Sequence, residues 1–167
     1  MYRKVEDFLK GYGHEAENTL KYFRALTDES LKQKVAEGHW SLGRLAWHIT
    51  TTIPEMMGQT GLTVSSLDHE AEKPEKAAEI VAAYEKVSKE LLDVIKEKWD
   101  DATLEVEDNL YGENWKRGLT LAILLSHEIH HRAQMSVLMR QAGLTVPGIY
   151  GPAKEEWAAF GAEAPAD

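Results

Sequence analysis

Apolar side chains recur every three or four positions along most of the chain, the spacing of one face of an α-helix. Val5, Leu9, Tyr12, Ala16, Leu20 and Phe23 trace a first stripe and predict a helix over about residues 3–26, in spite of Gly11 and Gly13. Thr27 to Gly38 reads as a connector with room for one short helix. Leu42, Leu45, Ile49, Ile53 and Met56 form a second stripe, opening near Ser41 or His39 and closing near Gly58. Pro54 falls inside it and is expected to kink that helix or end it early, because it removes the N–H that would bond the Thr50 carbonyl. Residues 60–73 are polar and predict a loop, and Pro74 suits a first helical position. Ile80, Tyr84, Val87, Leu91 and Ile95 mark a third helix ending near Trp99.

The period breaks in DDATLEVEDNLYGENWKRG, residues 100–118, where brief alternation and turn residues leave a short hairpin and an ordered loop both open. Thr120 to Gln141 is the fourth helix, stopped by Gly143, with Pro147 just beyond. A short helix at 153–160 follows. Four long amphipathic helices without enough strands for a sheet predict an all-α four-helix bundle, with an irregular or hairpin segment between helices 3 and 4. Residues 1–160 are expected to form one helical-bundle domain and 161–167 a flexible tail.

The fourth stripe carries unusual chemistry. LLSHEIHHRAQMSVL, residues 124–138, holds three histidines and a glutamate within five positions of an otherwise apolar segment. With His127 at zero on a helical wheel, His131 falls at about 40° and His130 at about 300°. Ile123, Leu124, Met135, Leu138 and Ala142 share the arc of His127 and His131, and His130 lies at its margin. Two imidazoles one turn apart can aim ring nitrogens at one point, as in many metal sites, although hydrogen-bonded core histidines read equally well from the pair alone. His48, between Trp47 and Ile49 at the border of the second stripe, is the third candidate ligand, because no packing need places an imidazole there. His14, His39 and His69 look solvated.

Charge and composition narrow the function. The 19 basic against 28 acidic side chains give a net charge of -9 without a basic cluster, which argues against a nucleic-acid partner. There is no cysteine, so any sulfur chemistry needs a thiol brought in by a substrate. The charged, amphipathic N-terminus and the lack of a long apolar run predict a cytoplasmic protein without a membrane span.

HEIHH also fits the HExxH pattern, with Glu128 as a base activating water and Glu155 or Glu156 as a third ligand. A peptidase grips an extended peptide along a strand edge, and no sheet precedes the motif to supply one.

HWSLGRLAWHI (39–49) and SHEIHHRAQMSVLMRQAGLTVPGIYGP (126–152) together resemble the DinB/YfiT-like family of helical-bundle metalloproteins, a likeness that reaches from the first helix to about residue 152. The resemblance implies a four-helix bundle, often a homodimer, with a divalent ion such as zinc or nickel on three histidines, here His48, His127 and His131. It also implies use of low-molecular-weight thiols by some members. A thiol-dependent S-transferase is therefore expected first and a metal-dependent hydrolase second, with a non-enzymatic metal-binding or dimerisation protein as the alternative. Arg44 and Glu55 project near His48 and are candidates to orient a small-molecule substrate, or else form a surface ion pair. Glu128, about 100° from His127, is a candidate partner steadying an imidazole, and Gln134 another. Trp40, Trp47, Trp115 and Tyr111 could line a pocket for an apolar substrate, but with five Trp in the chain most are expected in core packing, and none is assigned a site role.

Overall fold

Each of the four stripes becomes a helix: α1 Val5–Arg24, α2 Leu42–Gln59, α3 Ala77–Lys98 and α4 Arg117–Gln141. The computed structural model describes residues 1–65, 67 and 70–166, so His69 and the last residue of the expected tail lie outside the described residues. α1 packs chiefly on α3 and α2 on α4, with α2 against α3 completing the bundle. Phe8, Tyr12, Phe23, Ile53, Tyr84 and Ile95 are among the side chains fully removed from solvent in its core. This pairing faces His48 on α2 toward the histidines of α4. No helix among the described residues is long and apolar enough to cross a membrane.

α2 does not end early at Pro54 but continues through it to Gln59. Proline in a helix interior costs about 3 kcal/mol. Ile53, Met56 and Met57 are all buried around it, and full burial of such side chains contributes about 1.5–3 kcal/mol each. Tertiary packing therefore outweighs the local defect. α3 likewise starts later than Pro74 suggests, at Ala77. The cap comes from far along the chain: the Ala77 N–H donates to Asp28 Oδ1 at 2.8 Å, and Lys76 Nζ pairs with Asp28 Oδ2 at 2.9 Å. An exposed helix end begins where its first orphan donor finds an acceptor.

Between α3 and α4 the chain forms a hairpin, β1 Glu107–Leu110 and β2 Glu113–Lys116, antiparallel with Leu110 opposite Glu113. Its two-residue turn has positive φ at both central positions, 54° at Tyr111 and 87° at Gly112, the backbone that matches strand twist in tight hairpins. Leu110 is buried beneath it, and Arg117 ties its base by donating to Asp108 at 2.7 Å and to the Thr60 carbonyl at 2.9 Å. α4 ends before Gly143, whose φ of 74° no ordinary side chain adopts cheaply. The short C-terminal helix is a 3-10 helix, Lys154–Phe160.

Candidate metal centre

α2 and α4 lie side by side, and the candidate histidines sit where their inner faces meet. His48 is half-buried between Trp47 and Ile49, both buried; His127 and His131 are half-buried among Leu124, Met135 and Leu138. His127 Nε2 stands 3.1 Å from His48 Nε2 and 3.1 Å from His131 Nε2. One donor atom from each of the three lies within 4.8 Å of the others.

The hydrogen bonds around these rings show what the cluster can hold. Gln134 Oε1 lies 2.7 Å from His131 Nδ1 and so takes the proton of that nitrogen, which leaves the His131 Nε2 lone pair facing inward. A single proton on His127 Nε2 can align with only one of its two neighbours at 3.1 Å. Three neutral rings therefore cannot satisfy both contacts with protons, whereas a cation accepts a lone pair from each. Nitrogen donors about 2.0–2.1 Å from a tetrahedral ion stand about 3.3 Å apart. The donor set fits, and these three histidines can hold a metal ion.

Their electrostatics favour the same chemistry. Burial, then the neighbouring imidazoles, then Arg44 push His48 down to about 4. Burial, His131 and His130 bring His127 down to about 4 as well. Burial also lowers His131, against the Gln134 hydrogen bond. All three rings are therefore neutral near pH 7, the form that ligates metal.

Two clefts open onto the cluster. One, of about 580 Å³, is mostly apolar, with Val35, Leu45, Val137 and Leu138 lining it beside His131. The other, of about 500 Å³, holds Arg44, Thr52, Glu55 and Tyr111 beside His48 and His127. Trp40 borders both, its ring 4.9 Å from that of His48 and 6.1 Å from that of His131. Arg44 lies over the Trp40 ring at 5.3 Å. Glu55 accepts from the Tyr111 hydroxyl at 2.7 Å and from Gln59 Nε2. Arg44 and Glu55 thus share a cleft wall through separate partners, not through the ion pair that their spacing allowed.

Glu128 is elsewhere. It is 2% exposed and turned toward α1 and α3, where its Oε1 accepts from Thr19 and Tyr84, each at 2.6 Å, and burial pushes its carboxyl up. It neither steadies an imidazole nor stands ready to activate water at the histidines. The other parts of an HExxH site are also engaged: Glu155 pairs with Arg140, and Glu156 accepts the N–H groups of Gly148 and Ala153. His130 is exposed and outside the trio. His14 is exposed, as expected, and His39 is exposed at the edge of the apolar cleft. Trp47 is core, its Nε1 bonded to the Ala71 carbonyl at 2.9 Å. Trp40 and Tyr111, weighed as pocket lining against core packing, line the clefts. What sequence reasoning missed is their contacts, Trp40 with the His48 and His131 rings and Tyr111 with Glu55.

The DinB family model matches residues 1–166. A Bacillus subtilis (strain 168) protein called Uncharacterized protein YrdA is 46% identical over 165 residues, 99% of each chain. The crystal structure of a DinB-like protein from Bacillus cereus ATCC 10987 matches with a TM-score of 0.86 at 43% identity, covering 90% of this chain and all of that one (100%). The DinB-like protein YjoA of Bacillus subtilis, at 16% identity and a TM-score of 0.69, shares the fold over 88% of this chain and 99% of its own.

Proposed function

The chain belongs to the DinB family, and from that membership and its three-imidazole cluster we propose that it is a metal-dependent enzyme, with His48, His127 and His131 holding zinc or nickel for thiol-dependent S-transfer. The observation that carries this reading is the convergence of three neutral Nε2 donors at the junction of two clefts. A divalent ion on three imidazoles keeps its full charge and an open position, and so favours ionisation of a thiol or water bound there.

The chain's own groups account for the rest. Gln134 keeps His131 in the tautomer that ligates through Nε2. Glu55 takes the thiol proton, and Arg44 attracts an anionic group on the incoming molecule. The apolar cleft beside Trp40 gives an uncharged electrophile a place near the histidines. The thiolate forms a sulfur–carbon bond there while the leaving group departs with the electrons of the bond it loses. Metal-assisted hydrolysis would use the same groups with water as the nucleophile, and the proposal includes a cytoplasmic homodimer.

Mass spectrometry of metal content on untagged protein tests the site. About one ion per chain is expected in the wild type and in His130→Ala, and close to none in His48→Ala. Metal retained in His48→Ala would refute the three-histidine assignment. The loaded protein is then mixed with 2-mercaptoethanol and 1-chloro-2,4-dinitrobenzene, and formation of the thioether above the metal-free rate supports S-transfer.

A further inference from the structure

Tyr111 stands at the first central position of the β1–β2 turn with φ 54°, ahead of Gly112 at 87°. Asn, Asp and Gly meet that backbone at little cost, while a bulky aromatic residue there is an outlier. Burial does not demand tyrosine: the residue is 58% exposed, and its ring meets that of Trp115 edge-on at 5.7 Å. What tyrosine adds over asparagine or glycine is reach. Its hydroxyl crosses from the hairpin to α2 and donates to Glu55 Oε2 at 2.7 Å, while Gln59 holds the other carboxylate oxygen. Glu55 is thereby fixed on the wall of the cleft that contains His48 and His127. Strain seen at a residue whose side chain orients a carboxylate beside a donor cluster points toward function rather than turn stability.

Building on the S-transfer reading, we infer that Tyr111 is a positioning residue whose hydroxyl holds the Glu55 carboxylate in place to accept the proton of a thiol brought to the histidine cluster. In that step the S–H bond breaks, its electron pair stays on sulfur, and the proton forms an O–H bond on Glu55. The hairpin between α3 and α4 is then part of the site, and its turn residue is chosen for the hydroxyl at some loss of local stability.

Three variants separate this from a structural role. Tyr111→Phe keeps the ring and the strained backbone but loses the hydroxyl. Tyr111→Asn loses the hydroxyl and creates the Asn-Gly pair that such turns favour. Glu55→Gln still accepts the tyrosine hydrogen bond but cannot take a proton. Metal-free Tyr111→Asn is expected to melt about 2 °C above wild type, and Tyr111→Phe close to it. Loaded with Co(II) and mixed rapidly with 2-mercaptoethanol, all three should form the thiolate absorption band about tenfold more slowly than wild type. Tyr111→Phe combined with Glu55→Gln should be no slower than Glu55→Gln alone. A lower melting temperature for Tyr111→Asn, or a wild-type rate of band formation in Tyr111→Phe, overturns the inference alone. Absence of the band in Co(II)-loaded wild type overturns the thiol reading and this inference with it.

Discussion

Replacing Arg132 by leucine should be among the most damaging single changes in the bundle, and it would leave the histidine cluster untouched. Arg132 follows His131 directly but points the other way, into the contact with α1, where it is 2% exposed. Its Nη1 donates to the Glu15 carbonyl at 3.1 Å and to Thr19 Oγ1 at 3.0 Å. Its Nη2 donates to the Glu15 carboxylate and to the Tyr150 hydroxyl, which in turn donates to Glu15 Oε2 at 2.7 Å. Arg132→Leu removes the cation and leaves the Glu15 carboxylate buried. Breaking a buried pair from one side costs about 3–5 kcal/mol, and with side-chain exposures of 3% and 10% water offers little relief. For a chain of this size each kcal/mol moves the melting temperature by about 2–4 °C, so the drop should be roughly 6–20 °C by circular dichroism on metal-free protein. Glu15→Leu with Arg132→Leu should recover most of that loss, because no charge is left uncompensated. A single mutant within about 1 kcal/mol of wild type, or a double mutant no better than the single, would show that the pair is not held as described.

The same pair sets an acid limit. Burial pushes Glu15 upward, but hydrogen bonds from Arg132 and Tyr150 and the Arg132 charge outweigh it and hold the carboxyl below its ordinary 4.5. A depressed folded value means stability that is complete above about pH 4.5 and lost as pH falls through the folded value, so the pH dependence of unfolding below 4.5 should be shallower in Glu15→Gln. Glu128→Gln should keep wild-type metal content by mass spectrometry, since its carboxylate faces Thr19 and Tyr84; loss of metal would return it to the site. Gly118→Ala should lower the melting temperature by several degrees although alanine favours helix, because its Cβ would lie 2.2 Å from the Tyr2 carbonyl oxygen.

Much of the architecture was legible in one dimension. A stripe at helical spacing reports one buried face whatever it packs against, so α1 to α4 could be found from Val5, Leu45, Ile80 and Leu124 and their neighbours. The aim of His127 and His131 at one point is likewise local, because residues four apart share a face in any α-helix. His48 could be singled out as an imidazole among apolar residues. Directions off the stripe could not be read. Glu128 and His127 are adjacent, and only the packing of α1 and α3 on the far side of α4 determined that one carboxylate would enter the core while the imidazole faced α2. The continuation of α2 through Pro54, the capping of α3 by Asp28, and the meeting of Tyr111 with Glu55 have the same origin. Sequence by itself determined which faces are apolar and which donors share a helix turn, since both follow from the 3.6-residue period. Which helix lies against which was decided by tertiary structure, because burial energy is collected between elements distant along the chain, and that pairing is what turns two histidines into three.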